Sequence, residues 1–295
     1  MNLKCPVCGK PLVKKENSLV CENRHTFDFA KSGYVNLFPS SSSSHGDNKE
    51  MRKARTAFLN TGSYRFLRDF LEGVTAEKNG VFLDLGCGEG YYTSAMPQKE
   101  KYGFDLSRDM ITYASKHDRS TQYAVASIFD LPVFDACADA VLTCFAPCSE
   151  AEILRILRDD GIFVFVSPGP KHLRELKEVL YDTVYDNETE QRFSSLSMVR
   201  EEVISAPFSL ETEMLWNLFL MTPYYYRTGE EGKQRLRDIA SMSVTAEFLI
   251  RIYESDNCSN ITSINFVQFC SVVCMHLQDT ACSFLLALCG IQDIR

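Results

Sequence analysis

Val81-Phe-Leu-Asp-Leu-Gly-Cys-Gly-Glu-Gly-Tyr-Tyr92 is the stretch that decides the fold. Val81 to Leu85 is a short apolar run of the kind that forms a fully buried strand. Behind it, Gly86, Gly88 and Gly90 let the backbone turn sharply and lie against a ligand. A glycine loop between a strand and a helix makes a nucleotide-type cofactor site, because the helix it opens presents unpaired N–H groups. Two acids sharpen the reading. Asp84 closes the strand, and Asp105 ends the next apolar segment, Lys101 to Phe104. An acid about 20 residues on can accept both hydroxyls of an adenosine ribose.

The loop's own charges choose the cofactor. A dinucleotide needs backbone donors facing a pyrophosphate. Asp84 and Glu89 would repel that group, yet they attract an ammonium or a sulfonium. The pattern Asp-x-Gly-x-Gly-x-Gly over 84–90 also resembles the first motif of class I methyltransferases, which implies S-adenosylmethionine.

Working outward, apolar runs alternate with helical stretches: Val81 to Leu85, Tyr102 to Asp105, Tyr123 to Ala126, Ala140 to Phe145 and Ile162 to Val166. This alternation predicts an α/β fold with a doubly wound, mostly parallel sheet and ligands at the strands' carboxyl ends. Lys49 to Phe58 and Lys171 to Tyr185 have helical periodicity. Glu213 to Leu220 and Thr245 to Tyr253 read as antiparallel strands closing the sheet. Ala126 and Ser127 end the third strand, where they would flank an adenine.

At the amino end Cys5, Cys8, Cys21 and His25 stand in the register C-x2-C-x12-C-x3-H. Two ligands on one tight turn and two on another can converge on a tetrahedral zinc ion. So short a piece cannot bury enough core to fold alone, and a metal supplies the missing stabilisation. Pro39, the serines 40–44, His45 and Gly46 then read as a flexible linker. The chain carries net charge −8, but residues 1–68 hold twelve Lys or Arg against five acids, +7, leaving −15 for the rest. A basic front on an acidic body suggests a docked polyanion, with Arg52, Lys53 and Arg55 placed to touch phosphates. The opening Met-Asn-Leu-Lys is no signal peptide, and thiolate ligands point to a reducing cytoplasm.

The chain resembles the ribosomal RNA guanine-N1 methyltransferases that modify a hairpin of 23S RNA. The matching segments are Cys-Pro-Val-Cys at 5–8, Cys-Glu-Asn-Arg-His-Thr-Phe-Asp at 21–28 and Ala-Lys-Ser-Gly-Tyr-Val-Asn-Leu at 30–37. To these are added Asp-Leu-Gly-Cys-Gly-Glu-Gly-Tyr-Tyr-Thr at 84–93, Ala-Pro-Cys at 146–148 and Pro-Gly-Pro-Lys-His-Leu-Arg-Glu-Leu-Lys at 168–177. The resemblance implies zinc on Cys5, Cys8, Cys21 and His25, cofactor contacts by Gly88, Glu89, Tyr64 and His172, and a homodimer whose zinc modules help shape an RNA cleft. Together with Asp84, Gly86 and Asp105 these complete the expected cofactor site.

The expected organisation is a zinc-binding RNA-recognition module at 1–38, a linker at 39–48, a methyltransferase domain at 49–253 and a Cys-rich extension at 254–295 that departs from the family. That extension has an apolar stretch, 266–291, broken by His276, Gln278 and Asp279, so no membrane span is expected. Tyr91, Tyr92 and Tyr224 to Tyr226 offer stacking faces for a base. Three rival readings remain at this level: a small-molecule methyltransferase, a cytosine-C5 methyltransferase with Cys148 as nucleophile, and a non-catalytic zinc RNA-binding protein. No residue is assigned as the general base.

Overall fold

The computed structural model describes residues 3–38, 49–189 and 193–255. The expected linker 39–48, and the extension beyond Ser255, lie outside the described residues.

Among the described residues, eleven strands and eight α-helices follow in chain order. β1 (Val13–Lys15), β2 (Ser18–Val20), β3 (Thr26–Asp28) and β4 (Val35–Asn36) precede α1 (Lys49–Leu59) and α2 (Arg65–Thr75). Then come β5 (Val81–Leu85), β6 (Glu100–Asp105), α3 (Arg108–His117), β7 (Gln122–Val125), β8 (Ala138–Cys144), α4 (Glu150–Ile156), β9 (Leu157–Pro168) and α5 (Arg174–Leu180). β10 (Leu196–Glu211), α6 (Thr212–Leu220), α7 (Tyr224–Arg227), α8 (Glu230–Arg237) and β11 (Ser241–Ser255) complete the described chain.

β5 is buried at all five positions, as a central strand of a doubly covered sheet must be. It sits in an eight-stranded sheet of order β10-β11-β9-β8-β5-β6-β7-β4. β4 through β9 run parallel, and β11 and β10 close the other edge antiparallel. The order reverses beside β5, which opens a crevice at the strands' carboxyl ends. Asp84 pairs opposite Gly103, so Asp105 lies two residues further along the neighbouring strand, on the same face of the sheet and nearer its carboxyl end.

The amino-terminal module is built onto this sheet. β1, β2 and β3 form a small antiparallel sheet. The next strand, β4, leaves it and pairs with β7, Val35 opposite Ala124. Leu3 bridges to Val133, and the Lys4 amide donates to the Pro132 carbonyl at 2.8 Å. Leu3, Leu12, Leu19 and Val35 therefore share one continuous apolar core with Leu131 and Val133. Each such leucine contributes about 1.5–3 kcal/mol on full burial, so the module draws stability from the larger body.

Two expectations are corrected. No α-helix follows the glycine loop; the chain makes a single 3-10 turn, Thr93–Ala95, and Met96 is extended. Pro97 disfavours helical geometry at the residue before it, leaving too few positions for a helix. Glu213 to Leu220 is helical, not a strand, as part of α6. Leu215, Leu218 and Phe219, spaced by three and four as one helix face requires, are buried, and so is the terminal Leu220. The antiparallel partner is instead β10, whose residues alternate in exposure over most of its length. Thr245 to Tyr253 falls within β11 as expected, and the helix expected over 171–185 is shorter, occupying Arg174–Leu180.

Candidate cofactor cleft and metal site

A cavity of about 940 Å³ opens at the carboxyl ends of β5, β6, β8 and β9. Tyr64, Asp84, Gly86, Gly88, Glu89, Asp105 and His172 all line it. Residues that the sequence scatters over more than a hundred positions thus meet in one place. Ala126 and Ser127 are not among its lining residues.

The glycine loop is held by its own hydrogen bonds. Gly86, Gly88 and Gly90 all have positive φ, a backbone state that L side chains rarely adopt. Gly86 and Cys87 amides donate to the Phe104 carbonyl at 2.8 and 3.0 Å, and the Gly90 amide to Cys87 O at 3.0 Å. The Gly88 amide donates to Asp105 Oδ2 at 3.0 Å. With four loop amides spent in this way, the loop makes a poor pyrophosphate cradle.

Acid character replaces the missing donors. Asp84 is 2 % exposed, and its Oδ2 accepts from the Thr93 hydroxyl at 2.5 Å. Burial pushes its carboxyl up to about 7, against the hydroxyl bond and with added repulsion from Asp105. A cation in the cleft would restore the ionised form. Glu89 lies beside it, with Arg55 Nη1 3.8 Å from Oε2. Asp105 Oδ1 also accepts from the Ser107 amide at 2.8 Å, which fixes the carboxylate while leaving lone pairs to receive further donors.

The opposite wall is aromatic. Tyr64 packs edge-on against Phe58 and Phe248, each at 4.9 Å between centroids, and Phe248 stands 4.9 Å from His172. His172 is 6 % exposed, and Nδ1 lies 2.9 Å from the Glu247 carbonyl oxygen. The Glu247 amide nitrogen lies 3.3 Å from the same Nδ1, so the backbone of Glu247 fixes the ring and turns Nε2 away from it. Burial pulls its pKa down to about 4, only partly offset by the bond to Glu247. Phe145, just after β8, has φ +59 and is 44 % exposed beside Phe248. Strained non-glycine backbone of this kind clusters at ligand sites.

Of the expected stacking faces, Tyr91, Tyr92 and Tyr224 line the cavity, whereas Tyr225 and Tyr226 do not. The Tyr92 hydroxyl is buried without a hydrogen-bond partner. Cys148 is not a lining residue, and burial raises its thiol to about 11, which argues against a nucleophilic cysteine there. Sequence reasoning missed Lys177 and the segment 183–188, which also line the cavity. One signal for Lys177 was available: it shares a helical stripe with Leu173, Leu176 and Leu180, an uncommon place for a lysine.

The candidate metal ligands also converge. Ligand atoms of Cys5, Cys8, Cys21 and His25 all lie within 4.8 Å of one another. Cys8 and Cys21 sulfurs are 3.7 Å apart, and His25 Nδ1 is 3.4 and 3.5 Å from the sulfurs of Cys5 and Cys21. A tetrahedral zinc about 2.3 Å from sulfur and 2.0–2.1 Å from nitrogen would give edges of about 3.8 and 3.6 Å. The donor set therefore fits that ion. Two turns present it: the Gly9 amide bonds Cys5 O at 2.8 Å and the Arg24 amide bonds Cys21 O at 3.0 Å, with Gly9 and Arg24 both at positive φ. The Lys10 backbone amide lowers the Cys8 thiol to about 6, which favours the thiolate that a metal requires.

Known proteins share this arrangement. The zinc-ribbon family described as RlmA, N-terminal, matches residues 3–44, and a methyltransferase-domain family matches residues 76–225. The 23S rRNA (guanine(748)-N(1))-methyltransferase of Streptomyces fradiae is 30% identical over 253 residues, covering 80% of this chain and 90% of its own. The chain belongs to the 23S rRNA (guanine-N1)-methyltransferase family. YxjB of Bacillus subtilis strain 168, named for the same activity, is 29% identical over 275 residues, 84% of this chain and 95% of its own. A malonyl-[acyl-carrier protein] O-methyltransferase of Pectobacterium atrosepticum is 31% identical over only 105 residues, 32% of this chain and 42% of its own.

The basic residues expected to hold RNA in this family member divide on inspection. Arg52 bonds Asp109 at 2.5 Å, stacks at 4.9 Å over Tyr113, and is only 12% exposed at its side chain. It ties α1 to α3 and is not available to phosphate. Arg55 faces Glu89 inside the cleft, and Lys53 alone of the three is exposed. Among the described residues no helix is long and apolar enough to cross a membrane.

His172 generates a direct test of the cleft's burial. Its pKa is depressed in the folded state, so the folded chain refuses a proton that the unfolded chain takes up near pH 6.5. Its contribution to stability is complete above that pH and is lost as pH falls toward 4. Its imidazole C–H resonance should stay at the neutral position from pH 8 to about 5; a midpoint near 6.5 in an NMR titration would place the ring in solvent.

Proposed function

We propose that this protein transfers a methyl group from S-adenosylmethionine to N1 of a guanine in a hairpin of 23S ribosomal RNA, in the cytoplasm and as a homodimer. One observation carries the reading: a zinc-type ligand quartet and an acid-lined glycine cleft are joined through a shared core and sheet, in the order that relatives named for this activity share over nine-tenths of their length.

The cleft residues suit that cofactor. Asp105 accepts the two ribose hydroxyls, and Asp84 and Glu89 supply the negative field that a sulfonium and an ammonium need. Gly86 and Gly88 keep the floor of the cleft free of side chains; a Cβ on Gly86 would stand 2.5 Å from the Ala146 Cβ. Tyr64 and His172 form the wall against which the ligand packs. The sulfonium supplies the methyl group: its carbon–sulfur bond breaks with the pair retained on sulfur, while the nitrogen pair of guanine N1 forms the new bond. The N1 proton passes to water. What remains for the protein is to hold the base in line, ease loss of that proton and meet the negative charge that develops on O6. Cys5, Cys8, Cys21 and His25 hold zinc as a structural ion, and the exposed Lys10, Lys14, Lys15, Arg24 and Lys31 around them offer cations to the RNA backbone.

Freshly purified protein should contain one zinc per chain, and chelation should abolish RNA modification. Elemental analysis finding no zinc in protein that methylates RNA would remove the metal from this account. Replacing Asp105 with Ala should weaken S-adenosylmethionine binding tenfold or more, since each charge-assisted bond contributes about 1.5–3 kcal/mol; calorimetry showing unchanged affinity would mean that the ribose lies elsewhere. The function itself is tested by mass mapping of ribosomal RNA from cells with and without the protein. A 1-methylguanine in 23S RNA should vanish with the gene, and an unchanged RNA map would refute the reading.

A further inference from the structure

The cavity exceeds what its cofactor end uses. Asp84, Asp105 and the glycine loop occupy one part, while Lys177, Tyr181, Tyr185, Asn187, Tyr224 and Arg227 line another. At about 940 Å³ it lies near the top of the range for ligand pockets, about 300–1,000 Å³, with room for a second ligand.

Lys177 is the unusual group in that second part. It is 5 % exposed and sits on the apolar stripe of α5. Its Nζ donates to the Tyr185 carbonyl oxygen at 2.9 Å and to Asn187 Oδ1 at 3.3 Å, both uncharged. The carboxylate that acts on it, Asp186, is bonded to Arg174 at 2.8 Å. A buried ammonium without a carboxylate partner is costly, and it carries three donors. The acceptors it has are themselves fixed: the Asn187 amide donates to the Pro170 carbonyl at 2.9 Å and its Nδ2 to the Gly169 carbonyl at 2.8 Å. Ammonium, loop and the Pro168-Gly169-Pro170 turn are thus locked together on the edge of the cleft.

On the reading of function given above, we infer that this second part receives the acceptor guanine and that Lys177 donates to its O6. A positive charge there favours the N1-deprotonated base, whose negative charge is shared between N1 and O6, and so raises the reactive fraction at neutral pH. The N1 proton leaves to water, and Lys177 keeps its own. Burial lowers the pKa of Lys177, opposed by Asp186 and assisted by Arg174. The other titratable groups around it are His172, which is neutral at working pH, and Tyr181, Tyr185, Tyr224 and Arg227 on the same wall. Asp186 and Glu188 line the cavity as well, but Asp186 is engaged by Arg174, and the hydrogen bonds of the ammonium go to the uncharged oxygens of Tyr185 and Asn187.

The test uses full-length wild type, Lys177→Met and Lys177→Arg with S-adenosylmethionine and a 23S hairpin transcript. Single-turnover rates are followed from pH 6 to 10, with products mapped by mass spectrometry and cofactor affinity measured by calorimetry. An opposite charge within about 4–6 Å moves a pKa by about 1–3 units. Lys177→Met should therefore reach its half-maximal rate about 1–3 pH units higher than wild type and lose about ten- to a thousandfold at pH 7, with cofactor affinity within about twofold. Lys177→Arg, which keeps the charge, should keep the wild-type midpoint. A lysine that only staples the loop would alter affinity and leave the midpoint in place. A guanine-N1 product with coincident pH profiles for wild type and Lys177→Met overturns the role of Lys177 alone. An inactive Lys177→Met that Lys177→Arg does not rescue overturns it too. A wild-type product on another base overturns the functional reading as well.

Discussion

Two carboxylates at the ends of neighbouring strands, wrapped by a loop in left-handed conformation, are the constraint around which the cleft is organised. Asp105 anchors the loop through Gly88 N and the start of α3 through Ser107 N. Asp84 is buried beneath, held by Thr93 and kept near its titration point by desolvation. The parallel register of β5 and β6 turns both to the same face of the sheet, Asp105 two residues further along than Asp84. Loop, register and burial must all be in place together, because each carboxylate is tolerable only where its hydrogen bonds satisfy it. The three left-handed glycines are the backbone expression of that requirement. At Gly90 a Cβ would stand 2.6 Å from the Tyr123 hydroxyl, so that position excludes larger residues by contact as well as by φ.

The same sheet carries the amino-terminal module. β4 adds one more parallel strand beyond β7, and Leu3, Leu12 and Leu19 bury their side chains in the core that lies under β6 and β7. A local ligand quartet and a long-range apolar contact are thus coupled through about thirty residues of chain. The ligands orient two tight turns; the core decides where those turns stand relative to the cleft. Arg52 contributes in a comparable way from the other side, since its bond to Asp109 and its stacking on Tyr113 join α1 to α3.

At the opposite edge the antiparallel pair β10 and β11 does more than finish the sheet. Phe248, on β11, sits between Tyr64, His172 and Phe145, three residues from three separate segments. Glu247 beside it fixes His172 through its carbonyl and the Lys171 amide through its carboxylate. The wall of the cleft facing Asp84 and Asp105 is therefore assembled by strand pairing between β9 and β11, far from the glycine loop in sequence.

Local pattern was enough for whatever depends on near neighbours. The all-apolar run of β5, the glycine spacing, the acid ending β6 and the C-x2-C and C-x3-H turns are each readable from a few adjacent residues, since backbone conformation and ligand reach are set over that range. Period was legible where it was clean, as in α1, and misread at 213–220, where a run of apolar residues hid a helical spacing of three and four. Other features depended on contacts beyond near neighbours. The missing helix after the loop was decided by Pro97 together with the packing of Thr93 on Asp84, and the engagement of Arg52 by an acid fifty-seven residues away. The place of Lys177 on a leucine stripe could be read locally, but not the partners it meets there, Tyr185 and Asn187. Sequence alone settled which chemical groups the chain owns and how its short segments turn; only the tertiary structure settled which of those groups are desolvated together, because burial and charge pairing belong to the packed molecule and not to any stretch of it.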